Sequence, residues 1–445
     1  MLDIKKLNKT LRLGIEFELF TLDEDGFIID GADRLITRVR REFPKIQIKR
    51  ECAKNMIEII TSPHTEVPDV MLTALEDFQN VIISAKKEKI ILYAYGTYPG
   101  AFVPKIRPDQ RYITQQKILG KQRFLAAGRC IGLHFHFSLP WGVFNDLEKA
   151  IKPLIQSRNI TSMLNVYNLC IAMDPALTTF SQSSPFYQGK RLGKDSRIMM
   201  YRGGSPFDSP NGLYANFPNL GALQQYKSTN TDILHLIAER FSQWKEVLSN
   251  VGCNIYSFLK YRSVLDSAWN PVKINPHGTM EIRGTDMNHP DVIIAIAVLV
   301  KFIIKAIQEK YIQVVSSDTA IDKPFRFDGE RIYIPPNTHV IGILQRLSAY
   351  EGLENDEIHK YCDALLQLGK KFIPEDRLPL LLPLEVFLKN RKTASDRIIA
   401  EAATLNVEEG SISPKKAAEL AVKLSQDLYL EIEVTKKRLH SLYGK

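Results

Sequence analysis

Four short stretches place titratable side chains at alternate positions between apolar ones. They are Leu13-Gly14-Ile15-Glu16-Phe17-Glu18-Leu19, Ile57-Glu58-Ile59, Gly132-Leu133-His134-Phe135-His136-Phe137 and Thr279-Met280-Glu281-Ile282-Arg283. In an extended chain, residues two apart share a face. Glu16 therefore projects with Glu18, His134 with His136, and Glu281 with Arg283, while Glu58 stands opposite Ile57 and Ile59 in its own strand. A water-facing sheet alternates in the same way, but it usually carries Lys, Thr, Ser and mixed charges. Here the set is carboxylate and imidazole with one arginine. Carboxylates crowded on one face raise each other's pKa unless a cation separates them. Oxygen ligands with an imidazole suit Mg²⁺ or Mn²⁺. Zinc is disfavoured, because no thiolate and no HExxH or HxxEH helix accompanies them. With the strands as neighbours in one sheet, Glu16, Glu18, Glu58, His134 and Glu281 could hold two or more divalent ions. Arg283 would lie beside them to receive a phosphate, as phosphoryl transfer requires.

No nucleotide motif accompanies this set. Gly189-Lys190-Arg191-Leu192-Gly193-Lys194-Asp195-Ser196 has the wrong spacing for a Walker loop, and no kinase motif series or GxGxxG fingerprint occurs. A nucleotide would be held by metals and side chains.

The elements that must position these groups mix strands and helices without regular βαβ alternation, which predicts an α+β fold. Strands are expected over Leu11–Phe20, Lys54–Thr61, Ile90–Tyr95, Cys130–Leu139 and Thr279–Gly284. Helices are expected over Val67–Lys89, Asp146 to about Met173, Thr231–Ser249, Pro290 to about Val315, and Ser413–Tyr443. The stretch from Asp174 to Leu220 reads as a long irregular loop, more often functional than not. No linker divides the chain. One catalytic unit over residues 1–350 with a helical C-terminal part over 351–445, packed on the same domain, is the expected organisation.

Composition bounds the rest. The 445 residues are 44% hydrophobic and 24% charged, with 59 Lys+Arg against 50 Asp+Glu for a net charge of +9. These are the fractions of a globular protein. The basic excess favours anionic partners without choosing among them. Runs such as Arg38-Val39-Arg40-Arg41 and Lys436-Lys437-Arg438 read as solvated helix faces, and no aromatic RNA-binding motif appears, so no nucleic-acid partner is expected. Five scattered cysteines and no CxxC pair argue against a disulfide scaffold. Met1–Thr10 lacks the apolar core of a secretory signal. The longest apolar run, Val292–Val300, is too short to span a bilayer, so no membrane partner is expected. The chain is expected to be cytoplasmic.

The motifs taken in order resemble those of the type-2 glutamate–cysteine ligases, bacterial carboxylate–amine ligases of the glutamine synthetase superfamily. The stretches carrying the resemblance are Gly14-Ile15-Glu16-Phe17-Glu18, Gly132-Leu133-His134-Phe135-His136, Ser183-Ser184-Pro185-Phe186-Tyr187-Gln188-Gly189 and Thr279-Met280-Glu281-Ile282-Arg283-Gly284-Thr285-Asp286. Order and spacing agree over roughly residues 11 to 310. The resemblance implies a glutamine synthetase-like curved antiparallel sheet flanked by helices, with ATP and Mg²⁺ (or Mn²⁺) on its concave face. It implies ATP-dependent joining of an amino-acid carboxylate to an amine through an acyl phosphate, most simply the formation of a γ-glutamyl amide. Glu16, Glu18, Glu58, His134 and Glu281 would be metal ligands, and Glu281 and Arg283 would be catalytic, with Arg283 stabilising the transferring phosphoryl group. His136 would contact the nucleotide or support a ligand, or else be a plain structural histidine. The segment from Ser183 to Arg202 looks like the family's substrate segment, with Ser184, Arg197 and Arg202 as substrate-binding candidates, because a guanidinium fork matches a carboxylate. Surface arginines in a mobile loop are the bland alternative.

Two departures stand out. The family commonly has Trp-Asp followed by Arg before its Glu-x-Arg strand, where this chain has Trp269-Asn270-Pro271-Val272-Lys273. It tends to have Asp-Thr-Gly in the substrate segment, where this chain has Arg191-Leu192-Gly193. Losing an acid and gaining a base there would alter recognition of an ammonium-bearing substrate. The partners expected are small-molecule amino-acid substrates and ATP, with self-association left open. A barrel amidohydrolase also opens with His-x-His on a strand, but it needs regular βα repeats that are missing here.

Overall fold

The computed structural model describes residues 10–152, 157–254, 263–405, 407 and 410–443. Residues 1–9, on which the expectation about a secretory signal falls, lie outside the described residues.

Seven strands form the main sheet: β1 (Leu13–Leu22), β2 (Gln47–Arg50), β3 (Met56–Ile60), β4 (Ile91–Tyr93), β5 (Gly132–Ser138), β6 (Val272–Asn275) and β7 (Thr279–Asp286). Their order is β6-β7-β5-β1-β3-β2, with β4 pairing the far end of β1, and every pairing is antiparallel. The four motif-bearing strands are thus consecutive neighbours. An antiparallel sheet of this kind is not a βα barrel, so the amidohydrolase reading loses its scaffold.

Alternation within the strands decides which face is covered. Leu13, Ile15, Phe17, Leu19, Leu133, Phe135, Phe137, Ile57 and Ile59 are fully buried, and Met280 and Ile282 nearly so. The main helices are α1 (Ala32–Glu42), α2 (Val67–Lys87), α3 (Gln110–Leu119), α4 (Arg158–Ser181), α5 (Ser196–Arg202), α6 (Asn230–Asn250), α7 (Pro290–Lys310), α8 (Asp356–Lys370), α9 (Ala394–Thr404) and α10 (Pro414–Tyr443). Helix α7 is apolar on nearly every side, as befits a helix enclosed by others. It packs against α2, α4, α8 and α10, while α4 also meets β7. One continuous apolar core runs from Leu11 to Leu439. No described helix is long and apolar enough to cross a membrane.

Three expectations about elements need correction. The helix expected from Asp146 starts at Arg158 instead, because Phe144–Asn145 pairs with Ala150–Ile151 in a small ladder. It then runs through Pro175 to Ser181, six residues past the proline and into the stretch expected to be loop from Asp174. The helix from Pro290 ends at Lys310, where Tyr311 adopts a left-handed conformation (φ 55°), and the chain continues as a strand over Gln313–Ser316. The segment Ser183–Arg202 is not an open loop. It contains α5, is mostly buried, and is tied to the C-terminal part by Lys194, whose ammonium pairs with Asp396 and with Glu354.

Candidate metal and nucleotide site

The strand register brings the sequence-expected ligands together. Glu16 lies opposite His134 across the β1–β5 ladder, Glu18 opposite Glu58 across β1–β3, and Glu281 opposite His136 across β5–β7. Lys273 stands opposite Glu281 on the edge strand β6. Glu16, Glu18, Glu58, His134, Lys273 and Glu281 line a cleft of about 320 Å³ on the face away from the apolar helices. A register break between Ile282 and Thr285 leaves Arg283 outside the regular ladder, the usual effect of a bulge that re-aims a side chain. Its backbone N–H instead donates to Pro271 O at 2.8 Å.

Hydrogen bonds orient each group. Glu16 Oε2 meets His134 Nδ1 at 3.1 Å, and its Oε1 faces His136 Nε2 across 3.4 Å without hydrogen-bond geometry. His136 Nδ1 lies 3.0 Å from Thr279 Oγ1. Glu18 Oε2 accepts the Gly132 backbone N–H at 2.6 Å. Glu281 is held on both oxygens: Arg283 Nη1 donates to Oε1 at 2.6 Å and Asn275 Nδ2 to Oε2 at 2.5 Å.

The electrostatics divide the acids into two sets. Burial pushes Glu281 up, but Lys273 and Arg283 outweigh it and hold the carboxyl well below its ordinary range. Burial likewise pushes Glu16 up, and its contacts with His134 and His136 carry it well below that range. By contrast, burial and then the neighbouring Glu51 push Glu18 up to about 8. Burial, with Glu51, Glu16 and Glu18, drives Glu58 well above its ordinary value. Burial and then Arg283 lower His134 to about 4, so its imidazole is neutral and free to act as a ligand.

Three groups of donor atoms could each hold a cation, with all atoms of a group within 4.8 Å of one another: Glu16, Glu58 and His134; Glu16, His136 and Glu281; Glu18, Glu51 and Glu58. Oxygen-rich sets with an imidazole are those of Mg²⁺ or Mn²⁺. His136 Nε2 is buried with no hydrogen-bond partner, as a nitrogen aimed at a cation would be. The residues present fit divalent ions.

The substrate candidates separate. Arg197 reaches the cleft wall, with Nη1 and Nη2 donating to the carbonyls of Gly284 and Arg283 at 3.1 and 3.3 Å, while its buried Nε has no hydrogen-bond partner. Gly132 makes room for it, since a Cβ there would come within 2.1 Å of Arg197 Nη2. Arg202 does not line the cleft. It is buried in a two-pronged ion pair with Asp174 (2.6 and 2.8 Å), with Gln345 Oε1 at 3.2 Å. Ser184 is also withdrawn, donating to Asp286 Oδ2 at 2.6 Å and fully buried. The turn of α5 explains the split, because it sends Arg197 toward β7 and Arg202 behind it toward α4.

Sequence reasoning missed Glu51, Arg111 and Tyr201, all of which line the cleft. Glu51 follows the basic, mostly exposed strand β2 and reads as one more surface charge. Arg111 arrives on α3, where no motif announces it.

The profile of the Glutamate-cysteine ligase family 2 (GCS2) matches residues 12–332. The chain belongs to this family. A curated relative from Chromobacterium violaceum named "Putative glutamate--cysteine ligase 2" is 29% identical over 187 residues, covering 41% of this chain and 44% of that protein. One of the same name from Janthinobacterium sp. (strain Marseille) is 28% identical over 238 residues, covering 50% and 58%. The chain thus spans about half the length of these relatives. Among solved structures, the glutamate–cysteine ligase of Francisella tularensis in complex with AMP superposes with a TM-score of 0.57 at 12% identity, covering 97% of this chain and 93% of that one. A bifunctional glutathione synthetase from Pasteurella multocida gives 0.56 at 13% identity, covering 95% and 53%. The expected α+β architecture is thus that of the glutamine synthetase-like ligases.

Proposed function

We propose that this chain is an ATP- and divalent-metal-dependent ligase that joins an amino-acid carboxylate to an amine, in the manner of a glutamate–cysteine ligase forming a γ-glutamyl amide. The observation that carries the reading is the strand register, which sets two carboxylate–imidazole groups and one all-carboxylate group beside Arg283. The relatives' names agree with it, as does family membership.

Bound Mg²⁺ or Mn²⁺ would be held by Glu16, Glu18, Glu58, His134 and Glu281, with Glu51 and His136 completing the groups. Such ions would neutralise ATP's phosphates and the charge that develops during phosphoryl transfer to the acid. The chain's own residues do the rest. Glu281, ionised and gripped by Arg283 and Asn275, fixes the guanidinium so that its remaining donors face the cleft. Fixed donors of this kind stabilise developing charge without reorganising. Burial, with Arg283, keeps His134 unprotonated at neutral pH, so it competes for no anion. Arg197, seated over the Tyr201 ring, offers its Nε toward a substrate carboxylate. The amine then displaces phosphate from the activated acid, leaving an amide. We further propose residues 1–350 as the catalytic unit, with 351–445 packed on it as a helical buttress, in a cytoplasmic protein.

The test is ADP release with ATP and Mg²⁺ or Mn²⁺ over a matrix of acids and amines. Turnover is expected only when both an acid and an amine are present, with a product mass equal to their sum less one water. Amide hydrolysis without ATP would overturn the proposal.

A further inference from the structure

Lys273 is a buried cation that the metal groups do not use. It is 7% exposed, stands on the edge strand opposite Glu281, and lines the cleft. An ammonium carries three donors. Here its partners are Ala268 O at a long 3.4 Å and Glu281 Oε2 at 3.8 Å. Both oxygens of Glu281 are already taken by closer donors, Arg283 at 2.6 Å and Asn275 at 2.5 Å. A charged donor withdrawn from water and left with spare capacity is costly unless a ligand meets it. Other basic groups of the cleft differ. Arg197 spends both terminal nitrogens on carbonyls, and Arg50, more than half exposed, pairs with Asp33.

The complementary ligand is an oxyanion, and the geometry argues against the transferring phosphoryl group. The Glu281 carboxylate stands between Lys273 and Arg283, at 3.8 Å from one and 2.6 Å from the other. A phosphoryl group seated between Arg283 and the metal-ligand groups would have to displace that carboxylate to reach the ammonium. On its own side Lys273 shares the wall with Asp266, Trp269, Asn275 and His277, a mixed polar and aromatic surface suited to an organic molecule. We propose that Lys273 is a specificity-determining residue that binds a carboxylate of an organic substrate. The carboxylate is either the second carboxylate of the acid or the carboxylate of an amino acid serving as the amine. This rests on reading the cleft as a ligase site.

The test uses the full chain with Mg²⁺ and no nucleotide. Calorimetry compares dicarboxylates from succinate to adipate with the matching monocarboxylates, and L-amino acids with their decarboxylated amines. The expected result is that Lys273→Met weakens one carboxylate-bearing series at least about tenfold, or 1.4 kcal/mol. It leaves that series' carboxylate-lacking counterparts unchanged, and Lys273→Arg recovers part of the loss. The series that responds identifies which substrate carries the group. In turnover, the same variant should raise KM for that substrate and leave KM for ATP within about twofold, since ATP does not use the ammonium. Equal binding of both series by wild type and Lys273→Met, no binding of either series by wild type, or a raised KM for ATP alone would overturn the proposal. Loss of binding in a protein that turns over no acid–amine pair would leave this assignment standing while the ligase reading fell.

Discussion

The two ends of the acidic face are built on opposite principles. At the β7 end, Glu281 receives Arg283 and Asn275 and has Lys273 behind it, so its charge is balanced by the chain itself. At the β3 end, the hydrogen bonds that Glu18 and Glu51 accept among the described residues come from backbone N–H groups, those of Gly132 and Cys52. Glu58 there is surrounded by three other acids, whose repulsion adds to its burial. Buried like charges without partners neutralise rather than ionise. One end is therefore an ion pair within the chain that positions an arginine, while the other, on the proposed reading, is completed by a cation from outside. The site's working charge would then depend on what it binds at the β3 end.

Cutting the finished end should cost most. Arg283→Ala leaves Glu281 ionised and buried, which is expected to destabilise the protein by about 3–5 kcal/mol and to abolish turnover, as read by denaturant unfolding and ADP release. Arg202→Ala strands Asp174 in the same way and should cost roughly 3 kcal/mol. With Arg202 placed outside the cleft, substrate KM in the folded fraction should not change, whereas Arg197→Ala should raise KM in the folded fraction as well as lower stability, because it leaves two carbonyls and Asp286 without their buried cation. A KM effect confined to Arg202→Ala would reverse the assignment of the two arginines.

At the unfinished end the sign inverts. Glu58→Gln removes a repelled buried acid and is expected to stabilise the metal-free protein by roughly 1 kcal/mol while weakening Mn²⁺ binding. Destabilisation of the metal-free protein would mean that Glu58 already has a partner. A pH dependence follows from Glu18. Its folded value of about 8 lies above the ordinary 4.5, so between those values the folded chain keeps a proton that the unfolded chain has lost. That contribution to stability is complete below about pH 4.5 and is lost as pH rises through 8. Thermal melts of the metal-free protein should therefore decline over this window, and saturating Mg²⁺ should flatten the decline. Identical pH profiles with and without metal would remove the difference between the two ends.

The strands of this site were legible because alternation is local. Glu16, Glu18, His134, His136, Glu281 and Arg283 declare their shared faces within seven-residue windows, and residue type marked the face as more than solvated. What alternation cannot give is register, which is set by pairings between strands distant in sequence, such as Glu18 with Glu58 and Glu16 with His134. The family resemblance supplied that order. Glu51 was illegible because it leaves a basic edge strand and enters the cleft only through the turn into β3. Arg202 was misjudged because two arginines five residues apart look alike until the short helix α5 assigns them to different sides. Its true signal is Asp174, buried in a helix that the sequence pattern ends at about Met173.

The most direct test is a Mn²⁺ titration of the full chain at pH 7, followed by calorimetry in buffers of different ionisation enthalpy. Carboxyls that sit protonated in the metal-free cleft must ionise to become ligands, so saturable binding should release on the order of one proton. Glu58→Gln should diminish both the binding and the release. Absence of saturable binding, or binding with no proton released, would contradict the claim that the β3 end of the cleft is an incomplete site awaiting a divalent cation.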